Sequence, residues 1–263
     1  MIDKKLQAEL RAKFNPDGSD LRKMQLRMLD MLKYIDKICR ENNITYWLSS
    51  GTCLGAVRHG GFIPWDDDID IEMLEKDYKK LRNIIKQQSK IPFIWQDRET
   101  DEDYKYPFAK LRDKYSIITE RNGHDSHYKY KGIFIDIFIL TPSNSLKIRK
   151  FTTFLYSWSI RKISKTKMLK RYSGIVYKVL SILERIQAIW AQDRLRHISG
   201  TYFYKERRYH DIGKVKYIKF EDTFLPIPKY YHNYLSLLYS NYSQLPSLSN
   251  LSLPHTIKVT FLD

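Results

Sequence analysis

Residues 44–72 read Ile44-Thr-Tyr-Trp-Leu-Ser-Ser-Gly-Thr-Cys-Leu-Gly-Ala-Val-Arg-His-Gly-Gly-Phe-Ile-Pro-Trp-Asp-Asp-Asp-Ile-Asp-Ile-Glu72. Apolar residues at 46–48 give way to small ones at 49–52 and then to the helix-compatible 53–57, which predicts a strand, a tight turn and a short helix. Gly60, Gly61 and Pro64 break the chain before Trp65-Asp66-Asp67-Asp68-Ile69-Asp70-Ile71. Side chains alternate faces along a strand, so a strand here sets Asp66, Asp68 and Asp70 on one face and Ile69 and Ile71 in the core. Three carboxylates on one face repel one another unless a cation stands among them. A hard divalent ion with oxygen ligands is the natural candidate. Mg²⁺ keeps one or two carboxylates and completes its shell with substrate phosphate oxygens, which suits an Asp-x-Asp pair. A solvated acidic turn is the other reading of residues 66–70. The apolar flanks and the preceding Gly51-Thr52 turn, whose N–H groups can face a phosphate, favour the metal site.

Upstream, Leu21, Met24, Leu26, Met28, Leu29, Leu32, Ile35, Ile38 and Cys39 recur at near-helical spacing over 21–42, with Asp20 or Ser19 as N-cap and Asn42-Asn43 as the stop. Downstream, 78–88 reads as a helix and 93–96, 108–111 and 116–119 as short strands. Lys110 and Arg112 alternate with Ala109 and Leu111, either as phosphate contacts or as a solvated basic edge. Residues 133–140, Ile-Phe-Ile-Asp-Ile-Phe-Ile-Leu, have the apolar run of a central strand covered on both faces. Asp136 inside that run must be protonated, hydrogen-bonded or cation-bound, because an unpaired buried charge is costly. From residue 143 the composition turns basic and aromatic, with Ile175, Val179, Ile182, Leu183, Ile186, Ile189 and Trp190 at helical spacing. Two or three basic helices over 146–200, broken near Ser173-Gly174, are expected. Their charge fits acidic headgroups or a lipid-linked acceptor, or else ordinary solvated helices.

The unbroken run from Gly51 to Ile71 resembles the signature of the LicD family, which includes fukutin and fukutin-related protein. The resemblance implies an α+β fold: a nucleotidyltransferase-like mixed β-sheet core over 1–142, flanking helices, and an appended basic helical region over 143–263 packed on it as one unit. It implies transfer of a phospho-alcohol, such as phosphocholine or ribitol phosphate, from a CDP donor such as CDP-choline to a hydroxyl of a cell-surface glycan, lipopolysaccharide for example, with release of CMP. On this resemblance Asp68 and Asp70 hold Mg²⁺ or Mn²⁺. Asp136 lies in a Gly-Ile-Phe-Ile-Asp-Ile-Phe run similar to the family segment that supplies a third carboxylate. It completes the metal site or, with Asp66 as the alternative, takes the proton from the acceptor. Gly51, Thr52, Arg58 and His59 are candidates to position phosphates, and Asp67, Lys110 and Arg112 are further candidate substrate contacts. Trp65 either stacks on the base or choline-like group or packs in the core. Tyr239-Ser240-Asn241-Tyr242 stands where the family has Tyr-Gly-Asp-Tyr, and Thr141 where members often carry Asp. His255, after Pro254, is similar to a late family His, as a binding or a structural residue.

The chain has 263 residues, 43% hydrophobic and 14% aromatic, which argues against disorder and allows a substantial core. Its net charge of +16, from 46 basic against 30 acidic residues, calls for an anionic partner without choosing one. Cys39 and Cys53 lack a CxxC partner and read as buried thiols of a reducing compartment. With no signal-peptide pattern and no apolar stretch near the roughly 18 residues that span a bilayer, a cytoplasmic location is expected, with peripheral contact at the inner face of the membrane. Two rivals remain: a metal-dependent nucleotidyltransferase using an NTP, and a nucleic-acid-binding protein. The second makes no use of aligned carboxylates, which repel a phosphate backbone, so no specific nucleic acid is expected.

Overall fold

Strand β6 (Phe134–Pro142) is the axis of the main sheet in the computed structural model, which describes residues 2–88, 90–163, 167–248, 251 and 254–262. β6 pairs in parallel with β2 (Asp70–Leu74) and antiparallel with β4 (Ala109–Asp113). β1 (Tyr46–Leu48) flanks β2 and β3 (Phe93–Gln96) flanks β4, so the order is β1-β2-β6-β4-β3. The apolar run of β6 is buried on both faces as its composition predicts: Ile135 and Ile137 have no exposed surface, and Phe134 and Phe138 little.

Helix α2 (Asp20–Glu41) lies on this sheet. Ser19 is its N-cap, its Oγ accepting the Arg22 N–H at 3.2 Å, and Asn42 ends it, its side chain donating to the Ile38 carbonyl at 2.9 Å. Met31, Leu32 and Ile35 are wholly buried in the same cluster as Ile71, Met73, Leu111 and Ile137. Burying each such side chain contributes about 1.5–3 kcal/mol. Helix α1 (Lys4–Phe14) precedes it, α3 (Ser50–His59) follows β1, and α4 (Glu75–Gln87) follows β2. Cys39 and Cys53 are both free and buried.

Two expectations need correction. Residues 66–69 are not a strand: after the turn at Pro64-Trp65 the chain runs irregularly and β2 starts at Asp70. The cause is local, since Gln25 Nε2 donates to the Asp66 carbonyl at 2.9 Å and takes an acceptor that a neighbouring strand would have used. The part after 143 is also not simply helical. It opens with helices α5 (Leu146–Ile163) and α6 (Lys167–Ala188), the latter continuing through Ser173-Gly174 where a break was expected. It then returns to the sheet. β7 (Arg194–His197) pairs with the end of β6, and β8 (Arg207–Arg208) with β7. After the short helix α7 (Tyr209–Ile212), β9 (Lys216–Phe220) and β10 (Thr223–Ile227) form a hairpin. Helix α8 (Tyr231–Leu238) follows, and β11 (Thr256–Phe261) pairs with β5 (Ser116–Glu120). No described helix is long and apolar enough to cross a membrane.

Candidate active site

The register of β2 on β6 places Asp70 directly opposite Asp136, and the register of β4 places Lys110 opposite Asp136 on the other side. Lys110 Nζ lies 2.8 Å from Asp136 Oδ1 and 3.2 Å from the centroid of the Phe134 ring. The backbone is pinned around the pair: Asp136 N–H donates to the Ile69 carbonyl at 2.9 Å, and Asp70 N–H to Thr52 Oγ1 at 2.8 Å. Asp66 and Asp68, though outside the strand, turn toward the same space. All four carboxylates line a cavity of about 670 Å³.

Crowding sets the electrostatics. Burial, and then Asp68, Asp136 and Asp66, push the Asp70 carboxyl well above its usual range. Burial, Asp68 and Asp67 do the same to Asp66, while Arg58 opposes them. Asp68 is raised to about 6 by burial and by Asp67 and Asp136, against the pull of His255 and Lys110. For Asp136, burial raises the carboxyl and Lys110 offsets part of the rise. Among the described residues no three His, Cys, Asp or Glu side chains come together as a group that could hold a metal ion as they stand. The donor set fits an open site instead, in which paired carboxylates on one wall leave the remaining positions to phosphate oxygens.

The other expected residues divide. Gly51 lines the cavity at the first turn of α3, with Ser50 held at φ 45° before it. A Cβ on Gly51 would sit 2.9 Å from Asp66 Oδ2, so glycine lets the carboxylate approach the helix. His255 also lines the cavity, 3.8 Å from Asp68 Oδ2. Thr52, Arg58, His59, Trp65, Asp67 and Arg112 do not line it. Thr52 caps the Asp70 amide. Arg58 donates to the Tyr242 and Gln244 carbonyls and to His59, whose pKa is pushed down to about 3 by burial and by Arg58. Trp65 packs edge-on against Phe14 and His59, the core alternative of its two readings. Asp67 accepts the Thr256 N–H at 2.6 Å and ties the acidic segment to β11. Arg112 is wholly buried, donating to Gln96, the Gly132 carbonyl and Glu120.

The cavity has walls that the sequence did not announce. Tyr106, Phe108, Phe134, Phe138 and Phe203 supply aromatic faces, and Phe108 and Phe138 stand 4.4 Å apart between centroids. Tyr239, the first residue of the Tyr-Ser-Asn-Tyr segment, faces the carboxylates, which raise its hydroxyl pKa after burial. His197 and Arg207 reach the cavity from β7 and β8, both held by Glu72. Glu72 is wholly buried and accepts from His197, Arg207, Trp47 and Tyr234 at 2.8–3.1 Å. Burial raises its carboxyl, but Arg207 and His197 outweigh that and hold it far below the usual range. Burial pushes the His197 pKa down against the pull of Glu72, its Nε2 lies 2.8 Å from Glu72 Oε1, and its Nδ1 has no hydrogen-bond partner among the described residues.

Geometry thus defines a mixed α/β protein with a carboxylate-walled, aromatic-sided cavity. Residues 43–172 match the family described as LicD/FKTN/FKRP, nucleotidyltransferase domain. It is 28% identical to the lipopolysaccharide cholinephosphotransferase LicD of Haemophilus influenzae over 92% of this chain and 98% of that protein. It is 27% identical to the ribitol-5-phosphate transferase FKTN of Mus musculus over 43% of this chain and 22% of that one. Over 17% of this chain and 9% of the relative it is 40% identical to the human ribitol 5-phosphate transferase FKRP.

Proposed function

We propose that this chain transfers a phospho-alcohol, phosphocholine or a close analogue, from a CDP-activated donor to a hydroxyl of a cell-surface glycan, releasing CMP. The observation that carries the reading is the Asp70–Asp136 pair, set in register on the wall of a cavity that Asp66 and Asp68 also line. The similarity to a cholinephosphotransferase along nearly the whole of both chains supports the same class.

Asp70 and Asp136, with Asp68 beside them, would hold Mg²⁺ or Mn²⁺, which would offset charge on the diphosphate and on the departing CMP. The first-turn N–H groups of α3, at Ser50 and Gly51 on the cavity wall, lack intrahelical partners and would receive phosphate oxygens. The aromatic walls at Phe108, Phe138 and Phe203 suit a quaternary ammonium, the role first considered for Trp65. The acceptor hydroxyl oxygen forms its bond to the phosphorus that carries the alcohol, and the bond from that phosphorus to the CMP oxygen breaks. The hydroxyl proton passes to Asp66, because Asp136 is already engaged by Lys110. The core is read as nucleotidyltransferase-like over 1–142 with 143–263 completing it, working in the cytoplasm at the inner face of the membrane.

The test is CMP release from CDP-choline, CDP-ethanolamine, CDP-ribitol and CDP-glycerol with Mg²⁺, with and without a glycan acceptor. One donor giving acceptor-dependent CMP supports the reading and names the alcohol. Consumption of NTPs with release of pyrophosphate, and no use of any CDP-alcohol, overturns it in favour of a nucleotidyltransferase.

A further inference from the structure

Helices α5 and α6 pack together through a small apolar cluster of Tyr156 and Leu180. Beside it the inward face of α5 is polar: Arg149, Thr152, Thr153 and Ser159 are almost wholly buried. Arg149 Nη1 and Thr152 Oγ1 donate to the two oxygens of Glu184 on α6 at 2.9 and 2.7 Å. The outward face is apolar, with Phe151, Phe154 and Trp158, one helical stripe, between 48% and 57% exposed. On α6, Leu180 and Gln187 turn inward while Ile175, Val179, Ile182 and Ile186 turn outward, each about half exposed. The ridge continues to Ile189 and Trp190, at 74% and 62%. Exposed apolar stripes of this extent on two packed helices mark a surface that something covers.

Charge identifies the cover. Glu184 is the one acidic residue in the sequences of the two helices, and it is held inward. Around the stripe stand the exposed Lys147, Lys150, Lys178 and Arg185. A second copy laid face to face would set these cations against their own kind, whereas anionic headgroups oppose them with phosphates. Since no described helix is long and apolar enough to cross a membrane, the pair would lie in the interface plane with its stripe at the headgroup–acyl boundary.

We propose that the α5–α6 face is a docking surface for a bilayer containing anionic lipid. It also orients the cavity. Tyr202 and Phe203 are exposed and line the cavity mouth, and Lys150 Nζ lies 5.6 Å from the centroid of the adjacent Tyr204 ring. Docking therefore sets the mouth beside the membrane, where an acceptor hydroxyl carried on a lipid would reach it. Only this last consequence rests on the transferase reading.

The experiment is co-sedimentation of the full chain with vesicles of phosphatidylcholine alone or mixed with phosphatidylglycerol, with tryptophan emission recorded in parallel. The expected result is binding to the mixed vesicles, weakened by salt, with a blue shift. Phe151→Ser/Phe154→Ser/Trp158→Ser should weaken binding at least about tenfold, since membrane affinity follows buried apolar area. Lys147→Glu/Lys178→Glu should abolish the preference for anionic vesicles while circular dichroism shows the fold retained. No binding to either vesicle, or equal binding by wild type and both variants, overturns the proposal. So does self-association in gel filtration that the serine variant dissolves without any vesicle binding, which would assign the face to a second copy. Vesicle binding needs no turnover, so failure of CMP release leaves this result standing.

Discussion

Asp70 and Asp136 face each other in register across adjacent parallel strands, and Lys110 forms its ion pair with the second of them. The asymmetry has opposite consequences for two conservative substitutions. Asp70→Asn removes a charge that its neighbours repel and strands no cation, so it should raise the melting temperature of the metal-free protein by about 2–4 °C for each kcal/mol of repulsion relieved. Asp136→Asn leaves the buried Lys110 ammonium without its carboxylate and should lower the melting temperature instead. Thermal melts of both variants in chelator check the sign of each change.

The pH dependence follows from Asp68, whose carboxyl is raised to about 6. A group whose folded pKa lies above its unfolded value contributes stability that is complete below the unfolded value and is lost as pH rises through the folded one. Metal-free protein should therefore lose stability as pH rises from about 4 through about 6. A divalent ion competes with those protons. The melting shift caused by Mg²⁺ should be large at neutral pH and shrink below pH 6; a shift independent of pH between 5 and 8 would count against carboxylate ligation.

Gly51→Ala places its Cβ 2.9 Å from Asp66 Oδ2, the movable end of a side chain. Displacing that carboxylate should cost the fold less than about 1 kcal/mol but reduce turnover at least tenfold, because catalytic groups misplaced by a fraction of an ångström lose rate steeply. Gly55→Ala would meet the Gly61 carbonyl at 2.5 Å, a backbone atom that cannot step aside, so it should destabilise the fold clearly more. Urea denaturation with parallel rates separates the two effects.

Glu72→Ala should cost about 3–5 kcal/mol in urea denaturation, the usual price of leaving a buried partner charge, here Arg207, uncompensated. It should also loosen His197 and Arg207 at the cavity wall, so that KM changes at temperatures where the variant is still folded.

What the sequence disclosed was local in origin. The lone Asp in an all-apolar run identified β6 and Asp136 together, because only a central strand with a special need tolerates that pattern. Helical spacing, an N-cap at Asp20 or Ser19 and a stop at Asn42-Asn43 placed α2 within a residue at either end. The illegible features depend on partners far along the chain. Asp67 read as a candidate substrate contact, whereas the Thr256 amide, 189 positions away, claims it, and Glu72 gained meaning only through His197 and Arg207, 125 and 135 positions on. Strands β7 and β8 are four and two residues long, too short for an alternation pattern to register, so the region after 143 read as helical throughout.

The central claim, that the Asp70–Asp136 wall drives phospho-alcohol transfer, is tested most directly by the rate of CMP formation from the active CDP-alcohol with Mg²⁺, for wild type, Asp70→Asn and Asp136→Asn side by side. The account predicts that each folded variant loses at least about a hundredfold in rate, the scale expected when charge stabilisation of the transition state is removed. Rates within a few-fold of wild type in both variants would contradict it.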